Sequence, residues 1–121
     1  MEPEIRIVSQ RIEPADLSSL VAAWFGDMVK YVVDVRREVA AIGGQLHADA
    51  EQALLADGSR QEDLWGANYL PGLGAEAIEY TSLINIRPAQ GNRSMEIQDP
   101  EIRDRIRDLT SRLLGEGEPL P

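Results

Sequence analysis

Three short segments carry residue types that can do chemistry. The first is Gly43-Gly44-Gln45-Leu46-His47-Ala48-Asp49-Ala50-Glu51, which holds the chain's one histidine. On a helix His47 and Glu51 are i and i+4 and share a face, while Asp49 points elsewhere. An imidazole beside a carboxylate can move a proton or hold a divalent ion. Capping and complementarity to the helix dipole select the same residues, and that is the plainer use of acids at a helix start. The second segment runs from Asp57 to Asp63 and into Leu64-Trp65-Gly66. Its oxygen-bearing side chains surround a glycine, but the spacing is not that of an EF-hand loop, so a solvated turn before a strand is favoured. Together these segments offer His47, Asp49, Glu51 and Asp63 as candidate ligands for a divalent cation.

The third segment is Ser82-Leu83-Ile84-Asn85-Ile86-Arg87-Pro88, followed by Gln90-Gly91-Asn92-Arg93-Ser94. On a strand Asn85 and Arg87 share a face, and Arg93 can return beside them after the turn. Two guanidiniums, two amides (Asn85 and Asn92) and turn N–H groups suit a carboxylate or phosphate. The competing use of Arg87 and Arg93 is to pair with some of the chain's 21 acids and tie the loop down.

Composition narrows the classes. The chain has 121 residues, a formal net charge of −9, no cysteine and a single histidine. That excludes a disulfide scaffold, a thiol nucleophile and the common multi-histidine zinc sites. An acidic surface repels a phosphate backbone and disfavours nucleic acid as a partner. Eleven of the 12 basic residues are arginine, and Lys30 is the only lysine. No apolar run approaches a membrane span, and MEPEIRIV is not a secretory signal, so the expected setting is the cytoplasm. Walker A, G-x-S-x-G and G-x-G-x-x-G patterns are absent.

The elements that must position these residues follow from periodicity. Ile5 and Ile7 alternate with charged neighbours in a first strand. Pro14 opens a helix with Leu17, Leu20, Val21 and Trp24 on one stripe, and Gly26 ends it. Val29 to Val35 and Val39 to Ile42 read as the arms of a hairpin around Arg36-Arg37-Glu38. A second helix lies between Gly43-Gly44 and Asp57-Gly58. Strands are expected over Glu62 to Leu70 and Ala77 to Arg87, with a short return at Met95 to Ile97. Asp99-Pro100 starts a last helix, whose stripe is Ile102, Ile106, Leu109 and Leu113. The expected fold is α+β: a largely antiparallel sheet with about three amphipathic helices on one face, in an order related to the ferredoxin-like β-α-β-β-α-β. One domain is expected over 1–114, with a disordered tail over 115–121.

Three strings, GGQLHADAE at Gly43 to Glu51, QEDLWG at Gln61 to Gly66 and SLINIRP…QGNRS at Ser82 to Ser94, together resemble a small prokaryotic single-domain family of unknown function. The likeness extends roughly from Gly26 to Leu109. It implies a single-domain identity and no activity, substrate or cofactor.

Two functional readings follow. The first is a small soluble binding or regulatory domain that recognises an anionic ligand or a protein partner through Asn85, Arg87, Asn92 and Arg93. The alternative is a metal-assisted hydrolase using His47, Asp49 and Glu51, with Asp63 as a further ligand. A homo-oligomer assembled through an exposed strand edge is a third, plainer option.

Overall fold

The computed structural model describes residues 4–121. β-Branched and aromatic residues make the centre of the molecule. β2 (Val29–Asp34) and β3 (Val39–Ile42) form the expected hairpin, with Val33 opposite Ala40 and Tyr31 opposite Ile42. The Asp34 carboxylate closes the turn, accepting from the backbone N–H groups of Arg36 at 2.9 Å and Arg37 at 2.8 Å. β1 (Arg6–Val8) pairs with β3, β4 (Leu64–Tyr69) with β2, and β5 (Ile78–Glu79) with β4. Every pairing is antiparallel and the order is β1-β3-β2-β4-β5. The first six elements keep the β-α-β-β-α-β order, without the parallel strands that a split βαβ unit requires.

The helices begin and end where their capping chemistry places them. α1 (Pro14–Trp24) has proline in its first turn and buries Leu17, Leu20 and Val21. α2 (His47–Ala56) follows the two glycines, which stand at φ 114° and 99°. α3 (Pro100–Leu113) is capped by Asp99, whose side chain accepts from Glu101 N at 2.9 Å. Among the described residues no helix is long and apolar enough to cross a membrane.

The helices do not share one face, which corrects the arrangement expected from sequence. Leu17 and Leu20 of α1 and Ile106 and Leu109 of α3 pack with Tyr31, Val33, Ile42 and Trp65. Ala50 and Leu54 of α2 pack with Val32, Val39, Ala41 and Leu64 on the opposite face. The reason is visible in β2, where Tyr31, Val32 and Val33 are consecutive and all fully buried. A strand apolar on both sides needs cover on both sides. On the α3 side the Thr110 hydroxyl donates to Ile106 O at 2.7 Å, so the buried Tyr31 hydroxyl donates to Thr110 Oγ1, also at 2.7 Å. Burial pushes the Tyr31 pKa upward.

Two further expectations change. The strand expected over Ala77 to Arg87 ends after Glu79. Tyr80 and Ser82 then bond to Ile97 and Met95, and Ser82 accepts from Ile84 N as the chain turns through Leu83–Asn85. Local bonds of this kind compete with a ladder. Residues 115–121, expected to be disordered, lie against the body of the protein. Gly117 O accepts from Gly72 N at 3.0 Å and Gly74 N at 2.9 Å, and Gly117 N donates to the Tyr69 hydroxyl at 2.8 Å. Gly115 and Gly117 are buried and Leu120 packs on the core.

Candidate functional site

Register sets the site. Lys30 of β2 stands opposite Asn68 of β4, and Val32 stands opposite Gly66. All four residues face α2, since side chains alternate along a strand. Gly66 has a steric duty there. A Cβ on it would lie 2.8 Å from Ser82 Cβ and 3.2 Å from His47 Cδ2. The missing side chain lets the first turn of α2 and the Ser82 turn both reach the sheet.

His47 is 7% exposed, and its Nε2 lies 2.7 Å from Ala67 O. A carbonyl oxygen only accepts, so Nε2 carries the proton and Nδ1 keeps its lone pair. Burial lowers the imidazole pKa below its usual 6.5; the Ala67 carbonyl opposes this, Lys30 adds to it, and Asn68 opposes it. The ring is therefore neutral at pH 7. Nε2 is committed to Ala67, and Ser82 Oγ accepts from Ile84 N at 3.3 Å. No hydrogen bond joins His47 to Ser82 among the described residues, so the two do not form a nucleophile–base pair.

Beside them is an open groove of about 280 Å³, whose wall includes Lys30, His47, Asn68, Thr81 and Ser82. Its rim is apolar: Leu46, Leu83 and Met95 are 59%, 72% and 43% exposed. Asn68 is buried, and its Nδ2 donates to Glu79 Oε1 at 3.2 Å. The Asn68 side chain also lies within hydrogen-bonding reach of the His47 ring. Lys30 Nζ lies 5.5 Å from the centre of the Phe25 ring. A second cavity, of about 300 Å³, lies between Tyr80, Arg107 and Gly117. There Arg107 stands beside Asp104 and Asp108, Ser111 donates to Glu116, and the Tyr69 hydroxyl accepts from Gly117 N.

The residues singled out in sequence fall in three places. Asn85 is fully buried, accepting from Gly66 N at 2.8 Å and donating to Gly66 O at 2.9 Å and Met95 O at 3.2 Å. Asn92 Nδ2 donates to Asn85 O, Ser94 O and Glu96 O, and its Oδ1 accepts from Gln98 N. Both amides are buried, and their N–H groups are spent on holding the loop together. Arg87 is paired across the turn with Asn92, lies over the Trp65 ring at 4.8 Å, and faces Glu51 at 3.6 Å. Burial lowers the Arg87 pKa and Glu51 raises it, with side-chain exposures of only 11% and 9% for the pair. Arg93 alone of the four is exposed.

The four candidate metal ligands are not gathered. His47 is held by Ala67, Asp49 caps Leu46 N at 3.2 Å, Glu51 faces Arg87, and Asp63 pairs with Arg36 at 3.0 Å. Among the described residues no three His, Asp or Glu side chains surround a point where an ion could sit. The hydrolase alternative therefore gains no support. Sequence reasoning missed Lys30 and Asn68 as site residues. The available signal was that the only lysine and the only histidine of an arginine-rich chain deserve to be considered together.

Fold and groove define a small α+β domain, with an antiparallel sheet covered on both faces and a groove where β5 leaves the sheet. The family model described as "Protein of unknown function (DUF5674)" matches residues 6–113, and the chain belongs to that family. No curated protein and no solved structure matches it.

Proposed function

We propose that this chain is a ligand-binding domain that takes an anionic ligand with an apolar body into the groove between α2 and Ser82. Lys30 meets the negative group, the Thr81 and Ser82 hydroxyls lie beside it, and Leu46, Leu83 and Met95 receive the apolar part. One observation carries the reading. Nine of the 11 arginines stand near a carboxylate; Lys30, like Arg93 and Arg105, has no carboxylate partner among the described residues, and Lys30 lines the groove. An unpaired cation on the wall of an apolar-rimmed groove, in a chain of net charge −9, is suited to an anion. The acidic, cysteine-free composition supports a cytoplasmic setting for that binding.

The test is an amide-resolved NMR titration with octanoate. Shifts confined to Ala48, Asn68, Ser82, Leu83 and their neighbours, and lost in Lys30→Met, are expected. No saturable shift, or shifts that survive Lys30→Met unchanged, would overturn the reading.

A further inference from the structure

The rim of the groove holds one residue whose chemistry can be changed in place. Its exposed apolar side chains are Leu46, Leu83 and Met95, and Met95 is the one that carries sulfur. Leucine hydrocarbon is inert to peroxides, whereas an accessible thioether takes up an oxygen atom. The chain has no cysteine, so no thiol of its own competes for an oxidant. Among the described residues the other methionine is Met28, which is half-buried and does not line the groove. Met95 is also held in place. Its carbonyl oxygen accepts from Ser82 N at 3.1 Å and from Asn85 Nδ2 at 3.2 Å, and Ser82 and Asn85 are both buried. The backbone is thereby tied to the groove wall, so a change in the Met95 side chain acts at the rim and is not absorbed by a loop swinging away.

We infer that Met95 is an oxidation site that governs occupancy of the groove: hydrogen peroxide converts its thioether to the sulfoxide, and the apolar part of the ligand loses its seat. This rests on the anion-binding reading above and adds its regulation. In the step a sulfur lone pair attacks one peroxide oxygen. The S–O bond forms as the O–O bond breaks, and the proton of the transferred oxygen passes to the leaving hydroxide. The sulfur is oxidised by two electrons and the peroxide is reduced to water. The product is polar where the rim was apolar. Its S=O oxygen needs a donor, and the neighbouring side chains of Leu46, Leu83 and Ile84 are hydrocarbon and offer none. An alkyl chain laid over that oxygen strips it of water without replacing the hydrogen bond, which is unfavourable. Lys30 is chemically untouched, so the loss falls on the apolar end of the ligand. Methionine sulfoxide reductases reverse the change, one enzyme for each sulfoxide epimer, so the site can switch in both directions.

The experiment treats the full chain with hydrogen peroxide, locates the oxidised residues by peptide mass mapping, and titrates octanoate by NMR before and after. Met95 should oxidise at least about tenfold faster than Met28, and octanoate should then bind at least about tenfold more weakly. Met95→Leu will have an affinity of its own, and that affinity should not respond to the same treatment. Reduction of the oxidised parent by both sulfoxide reductases should restore binding. Unaltered octanoate affinity in chain oxidised at Met95 would overturn this inference and leave the anion groove in place. Met28 oxidising as fast as Met95, or an equal loss of affinity in peroxide-treated Met95→Leu, would overturn it in the same way. A loss that persists after reduction would mark damage elsewhere and also count against it. No saturable octanoate binding to the untreated chain would overturn the anion-binding reading, and the switch with it.

Discussion

The side-chain amide of Asn85 stands where Thr81 would pair with Gly66 if β5 ran on in register. It accepts from Gly66 N at 2.8 Å and donates to Gly66 O at 2.9 Å, so one side chain reproduces both bonds of a ladder partner. Replacing it with alanine leaves both backbone groups of a buried residue unpaired. Asn85→Ala is expected to cost about 2–4 kcal/mol, lowering the unfolding midpoint on the order of 10 °C. A calorimetric shift within error of zero would show that the amide does not hold the edge.

Gly66 has a second constraint. Gly66→Ala sets a methyl 2.8 Å from Ser82 Cβ and 2.9 Å from Ser82 Oγ. Overpacking of this kind costs about 1–3 kcal/mol. Adding Ser82→Gly removes both contacts and should return part of the loss, leaving the 3.2 Å approach to His47. Denaturant unfolding of the two single variants and the double variant measures the coupling, and strict additivity would disprove the contact.

Lys30 and Arg87 should behave in opposite ways. Lys30→Met removes a cation that has no carboxylate partner, so stability should change by less than about 0.5 kcal/mol. Arg87→Met strands the buried Glu51 carboxylate and should cost about 3–5 kcal/mol, with a smaller loss in the Glu51→Gln, Arg87→Met double variant. Chemical unfolding of the four proteins decides it; a destabilised Lys30→Met would place Lys30 in the core's support instead of the groove.

Protonation of His47 opposes folding. Its pKa is lowered on folding, by burial first, while Lys30 and Asn68 face it and Ala67 O holds Nε2. The unfolded chain therefore binds the proton more readily. This contribution to stability is fully present above about pH 6.5 and declines as the pH falls through the ordinary histidine range toward the lowered folded value. Urea midpoints between pH 7.5 and 5 should decline less steeply for His47→Gln than for the parent, and identical slopes would contradict it.

Much of the fold was readable because its signals are local. Pro14, Asp99-Pro100 and the apolar stripe of α3 mark their helices within a few residues, and the β2–β3 hairpin follows from Val29 to Ile42. The β5 strand was overestimated because its alternating pattern continues through Ser82 and Asn85, whose bonds depend on Gly66 and Met95, far along the chain. The distribution of helices over two faces was present in Tyr31-Val32-Val33, which leaves β2 no face for water. The candidate site was less accessible. Residue types in the Asn85 to Arg93 segment suggested donors, but burial, and N–H groups spent on the loop's own bonds, give Asn85 and Asn92 to the loop. Lys30 and Asn68 belong to separate strands, and only their register makes them neighbours.

β2 is shared property. One side of it is the floor under α2 and the groove; the other is the ceiling over α1 and α3. Whatever stiffens Lys30 therefore also stiffens Tyr31, one peptide bond away, and through its hydroxyl the Thr110 turn of α3. If the proposed ligand occupies the groove, slower amide exchange around Thr110 is the expected sign of it on the other side of the sheet.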